Sequence, residues 1–182
     1  MKQTLWEYLH ERKPNLASNP LNLTGEHFID INVPAYSGMH FHVKDILLYI
    51  REIGPKAFTH VDYLLQSAER EGELRLRVMD GERSFLILEE LDSFPFDENF
   101  QTVIDDAIHT GFRIDEENKI FYREIQEPYL AKIQRNSDLL TWQSSYWDFI
   151  GDGFVFVERR EHDGWFTVFR GFEVLPSDIL II

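Results

Sequence analysis

The 182-residue chain contains no cysteine. That removes disulfide frameworks, thiolate zinc sites, iron–sulfur clusters and cysteine nucleophiles together, and it fits a reducing compartment. No stretch approaches the 18 or so apolar residues of a membrane-spanning helix. Met1–Pro14 alternates charged and apolar side chains and has no apolar centre of signal-peptide length. These absences together predict a cytoplasmic chain. Missing as well are the glycine-rich dinucleotide fingerprint and the phosphate-binding Gly-Lys-Ser/Thr loop. Ser67 and Ser84 have no nucleophile-elbow context.

Basic residues are also scarce. Eighteen Lys+Arg face 32 Asp+Glu, a formal net charge of −14. Residues 1–72 hold 7 basic and 9 acidic residues, and residues 73–182 hold 11 and 23. Within residues 89–127 there are 3 basic against 12 acidic residues. Such a field repels nucleic acid and anionic membrane, because binding either requires Lys/Arg to displace counterions. It attracts basic surfaces.

What is present is a well-stocked core: 43% of the residues are hydrophobic and 14% aromatic. A chain of this length buries enough surface to fold unaided as one domain. We expect one α+β domain over 1–182, a mainly antiparallel sheet built from hairpins with about four helices packed on it. It divides into a helical part, 1–72, and a hairpin-rich acidic part, 73–182. Residues 2–12 read as a short helix. Val43, Ile46, Leu47, Ile50 and Ile53 keep helical spacing over 43–53, ended by Gly54-Pro55. Thr59 suits a helix cap, Val61, Leu64, Leu65 and Ala68 form a stripe, and Gly72 closes it. Residues 97–110 form a further helix candidate, and Pro128 suits the first turn of another running to about Arg135. Phe28–Val33 reads as extended.

Three hairpins are predicted. Leu74, Leu76 and Val78 alternate with Glu73, Arg75 and Arg77, and Asp80-Gly81 turns the chain toward Phe85–Leu88. Phe112–Ile114 returns through 115–118 to Ile120–Ile125. Phe154–Arg160 returns across Asp163-Gly164 to Trp165–Arg170. The apolar end Ile179–Ile182 belongs in the sheet or core.

Three constellations could carry function. The first is His40-Phe41-His42, whose imidazoles share one side of an extended segment. Joined by His60 and Asp62 they could form a catalytic set, with His40, His42 and His60 as metal ligands. The spacing matches no metallohydrolase motif. The second is the acidic series Glu89, Glu90, Asp92, Asp97, Glu98, Asp105, Asp106, Asp115, Glu116 and Glu117. Helix N-termini and hairpin tips account for these residues singly. Their number points to a face built to meet Lys/Arg. The third is the aromatic end, where residues 142–172 hold 10 of the 26 aromatic residues. Phe154, Phe156 and Phe166 suit a core. Trp142, Tyr146 and Trp147 flank a polar loop and suit an interface anchor.

The reading that follows is an acidic cytosolic protein-interaction domain, an inhibitor or immunity-type protein. It would bind a basic protein partner and need no cofactor, with neither nucleic acid nor membrane as partner. The alternative is a small histidine-centred, metal-dependent hydrolase.

Overall fold

The computed structural model describes residues 20–53, 56–79, 85–91, 112–114, 119–123, 129–151 and 153–182. Among these it forms twelve strands and two short 3₁₀ turns. The strands are β1 (Phe28–Ile31), β2 (His40–Ile53), β3 (Lys56–Gln66), β4 (Leu74–Met79), β5 (Phe85–Glu90) and β6 (Phe112–Ile114). They continue as β7 (Lys119–Arg123), β8 (Tyr129–Arg135), β9 (Thr141–Gly151), β10 (Gly153–Arg160), β11 (Phe166–Val174) and β12 (Ile179–Ile181).

Eight of them close into an antiparallel barrel. The wall runs β2-β3-β4-β5-β11-β10-β9, and β8 completes the ring by pairing with β9 on one side and β2 on the other. Closure removes the open edges that a sheet of this size would otherwise expose. The first half of β2 pairs instead with β1, and β1 with β12. The last residues of β9 pair with β7, and β7 with β6.

The expectation of an α+β fold with about four helices is therefore overturned. Among the described residues there is no α-helix. The segments read as helices at 43–53, 59–71 and 128–135 lie largely in β2, β3 and β8. The helices expected at 2–12 and 97–110 lie outside the described residues. The physical reason is plainest in β2. A bulge between Val43 and Asp45 shifts the register by one residue. It puts Val43 and Ile46 on the same face, a spacing of three that imitates a helix. Leu47 and Tyr49 are buried on the opposite face, so both faces are apolar and period-two alternation disappears. In β3 the same holds, with Val61, Tyr63 and Leu65 buried on one face and His60, Asp62 and Leu64 on the other.

The hairpins are where the turn signals put them. β4 pairs with β5, β6 with β7, and β10 with β11. The β10–β11 turn uses Gly164 at φ +70°, a left-handed conformation that favours glycine. Its N–H donates to the Arg160 carbonyl, and Asp163 Oδ1 accepts from the Trp165 N–H at 3.0 Å.

Two cores result. One fills the lumen with Leu47, Tyr49, Leu64, Leu86, Leu88, Ile133, Tyr146, Phe156 and Phe169. The other lies on the outer face of β2–β5, where Val43, Leu48, Val61, Tyr63, Leu65, Leu74, Leu76 and Ile87 pack with Leu23, Ile29, Ile31 and Tyr36 of the preceding segment. The C-terminal apolar residues serve this second core: β12 aligns Ile181 with Ile29 and Ile179 with Ile31. Each fully buried aliphatic or aromatic side chain contributes roughly 1.5–3 kcal/mol of transfer free energy.

Candidate functional site

Cross-strand partners share a face, so the pairing register spells out the lining of the lumen. Tyr49 stands beside His60, Asp62 beside Arg77, and Leu64 beside Arg75. Across the ring, Glu158 stands beside Tyr146 and Thr167, and Phe156 beside Asp148 and Phe169. The regular alternation of β4 is thus inverted from the usual arrangement. Its Leu74, Leu76 and Val78 face the outer core, and its arginines face inward.

The charges inside the barrel balance. Arg77 donates to both oxygens of Asp62, from Nε at 2.8 Å and Nη2 at 2.9 Å, with neither side chain exposed. Arg51 donates to Asp148 at 3.0 Å. Arg75 donates to the Tyr49 hydroxyl at 2.9 Å, and Tyr49 donates onward to Glu158 at 3.2 Å. Glu158 also accepts from Ser144 Oγ at 2.8 Å and from Trp142 Nε1 at 3.5 Å. Three arginines therefore meet three carboxylates, each tied by charge-assisted bonds that would be very costly to leave unmade at such burial. Arginine planes also lie against rings: Arg77 is 4.7 Å from the Phe156 centroid and Arg75 is 4.1 Å from that of Phe169.

His60 is the exception in this network. It stacks on Tyr49 at 4.3 Å between centroids, and neither ring nitrogen has a hydrogen-bond partner. Burial, then the nearby Arg77, Arg51 and Arg75, hold its pKa well below the ordinary histidine value. It is a neutral ring at physiological pH. Tyr49 and Tyr146 are pushed the other way, above the usual phenol range, first by burial and with Glu158 adding to both.

The candidate residues from the sequence separate as follows. His40 is exposed on β2 and bonded to Asp30 at 2.6 Å, a contact that raises its pKa. His42 donates to the Gly25 carbonyl. His60 lies in the lumen. His42 pairs with Gln66, six residues along β3 from His60, a distance of roughly 20 Å at about 3.4 Å per residue. One metal ion cannot bridge that separation with bonds of about 2 Å. Asp62 is committed to Arg77. Among the described residues no three His, Asp or Glu side chains are grouped to hold a metal ion.

Of the acidic series, Glu89 accepts from the Tyr36 hydroxyl at 2.6 Å and from Arg70 at 3.0 Å, and Glu90 is exposed at the end of β5. Asp92, Asp97, Glu98, Asp105, Asp106, Asp115, Glu116 and Glu117 lie outside the described residues. Among the aromatic anchors, Tyr146 is fully buried in the lumen, and Trp147 is buried on the outer wall, stacked on Phe166. Trp142 is half-buried at one end of the barrel.

That end is open. A cavity of about 290 Å³ reaches into it, with Tyr49, Arg75 and Glu158 in its lining and Lys44, Arg135, Trp142 and Arg160 also around it. A second cavity of about 570 Å³ shares Arg135, Trp142 and Arg160 and continues outward along Leu140, Gln143 and His162. Sequence reasoning did not assemble this mouth, because its residues come from β2, β3, β4, β8, β9, β10 and β11. The local traces were Trp142, read from the sequence as an interface anchor, and the run of charged residues at alternate positions of β4.

The chain matches no family model, no curated protein and no solved structure. Among the described residues no helix is long and apolar enough to cross a membrane. What the fold and lumen define is a small closed antiparallel barrel with a charge-balanced polar interior.

Proposed function

We propose that this chain is a non-catalytic binding module that engages a basic protein partner, acting as an inhibitor or immunity-type protein. The observation that carries this reading is the partition of charge. The described residues hold 14 Lys+Arg and 17 Asp+Glu, and six of those charges cancel within the lumen. All other residues together hold 4 basic and 15 acidic residues. The barrel wall is therefore nearly neutral, and the carboxylate excess belongs to the stretches of sequence between its strands. An excess of carboxylates over basic residues suits long-range attraction of a cationic surface.

Asp97, Glu98, Asp105 and Asp106 lie between β5 and β6, and Asp115, Glu116 and Glu117 between β6 and β7. Together with Glu89, Glu90 and Asp92 they are the residues assigned to the contact. Nucleic acid and anionic membrane do not suit such a surface. A cytoplasmic setting agrees with the lack of cysteine. Affinity capture from cell lysate at low and at moderate salt tests the reading. Retention of a basic protein at low salt, weakened as salt rises, is expected. Failure to retain any basic protein at either salt would end it.

A further inference from the structure

We infer that the open mouth of the barrel binds a small organic oxyanion, a carboxylate or phosphate monoester. Its charged end meets Arg75, Arg135 and Arg160, and its apolar body lies along Trp142. The first ground is composition. In a chain where acids outnumber bases nearly two to one, the inner cavity is lined by four cations and three carboxylates.

The second ground is how these groups are already engaged. Two of the three carboxylates already accept hydrogen bonds. Glu158 accepts from Ser144 at 2.8 Å and Tyr49 at 3.2 Å, and Asp45 accepts from Ser137 Oγ at 2.6 Å and from the Ile46 N–H at 2.8 Å. Apart from Arg75, which donates to the Tyr49 hydroxyl at 2.9 Å, the cations are held loosely. Arg75 is 3.8 Å from Asp62, Arg135 is 3.8 Å from Asp45 and 3.6 Å from Asp138, and Arg160 is 3.8 Å from Asp163. Lys44 is 3.6 Å from Glu73. All of these exceed a hydrogen-bond length. Arg135 Nε is buried without any hydrogen-bond partner. Glu158 and Asp45 are thus engaged, while Arg135, Arg160 and Lys44 hold only contacts longer than a hydrogen bond, which leaves donors for an acceptor ligand.

The third ground is shape. The inner cavity, about 290 Å³, is near the lower limit for small-molecule pockets. It opens into the larger groove at Trp142, whose ring lies 5.8 Å from the Arg135 guanidinium carbon. An anionic group fits the inner part, with a ring or chain extending outward along the tryptophan face.

Isothermal titration calorimetry with benzoate, phenyl phosphate and inorganic phosphate, at constant salt, tests the inference on the full chain. The variants are Arg135→Gln, Arg160→Gln and Arg159→Gln. Arg159 neighbours Arg160 in sequence but lies on the outer wall against Trp147 and Phe166. Its loss removes the same charge from the protein without removing a donor from the inner cavity, whose lining includes neither Arg159 nor Glu161, the carboxylate 3.6 Å from it. The expected result is saturable binding of benzoate or phenyl phosphate, weakened at least about tenfold in Arg135→Gln and Arg160→Gln and unchanged in Arg159→Gln. The tighter of the two probes identifies the oxyanion. The inference is overturned if the unmodified protein binds none of the probes. It is equally overturned if Arg159→Gln weakens binding as much as the mouth variants, or if inorganic phosphate binds as tightly as phenyl phosphate. Circular dichroism of each variant establishes that it is folded, and a folded Arg160→Gln with undiminished binding also refutes the inference.

Discussion

At the scale of single residues, the molecule is governed by charges placed where water is excluded. Asp62 and Arg77 form a two-point pair with no exposure. Asp62→Asn would leave the Arg77 guanidinium buried without a counter-charge, and the expected cost is about 3–5 kcal/mol in urea unfolding. Replacing both partners, Asp62→Leu with Arg77→Met, removes that uncompensated charge. The double variant should therefore be the more stable of the two. A double variant less stable than Asp62→Asn would mean that the pair contributes more than it costs to bury.

His60 gives a pH prediction with a definite sign. Its folded-state pKa lies below the unfolded value of 6.5, so the unfolded chain binds the proton more readily. The neutral ring's stability is fully present above pH 6.5. It declines as pH falls below that value toward the folded pKa, by up to about 1.4 kcal/mol per pH unit from this group. The groups facing the ring are Tyr49, Arg51, Asp62, Arg75, Arg77 and Tyr146. His60→Phe keeps a ring against Tyr49 and removes the titration. Its stability should fall less steeply between pH 6.5 and 5 than that of the unmodified protein. Identical slopes would show that His60 is not the group responsible.

At the scale of elements, legibility depended on whether a strand was bounded by readable turns. Asp163-Gly164 and the alternation around Asp80-Gly81 revealed their hairpins directly. β1 and β12 were legible as an extended segment and an apolar terminus. β2, β3 and β8 were not. Barrel strands buried on both faces lose period two, and the bulge at Val43/Asp45 added a spacing of three that belongs to helices. The polar lumen deepened the error, since His60 and Asp62 resembled a helix's first turn although they line a barrel. The candidate site was even less legible. Alternation alone does not tell which of β4's two faces points inward, so it gave no sign that Arg75 and Arg77 line the lumen.

β11 supplies the test at this scale. A Cβ on Gly171 would come 2.7 Å from Leu88 Cδ2 and 3.1 Å from Phe156 Cε2, both in the lumen. Gly171→Ala is therefore an overpacking substitution, expected to cost about 1–3 kcal/mol in thermal or urea unfolding. A neutral effect would mean that the lumen near β5 and β10 yields more easily than its packing implies.

At the scale of the whole molecule, the barrel and the acidic residues divide the work. The wall and lumen cancel their own charge, and the interstrand sequence carries the excess. The acidity of residues 89–127 is a property of the sequence, and the α+β scaffold expected around it is replaced by a barrel. A near-neutral barrel matters to the proposed function because any electrostatic attraction of a partner must then come from those interstrand carboxylates.

The most direct measurement is the association rate of a captured basic partner with the unmodified protein and with the quadruple variant Asp97→Asn, Glu98→Gln, Asp105→Asn, Asp106→Asn, each followed across a salt series. The account predicts an association rate that falls steeply with salt for the unmodified protein. For the variant it predicts a slower rate with a flatter dependence, at unchanged thermal stability. Equal rates and equal salt dependence for the two proteins would contradict it.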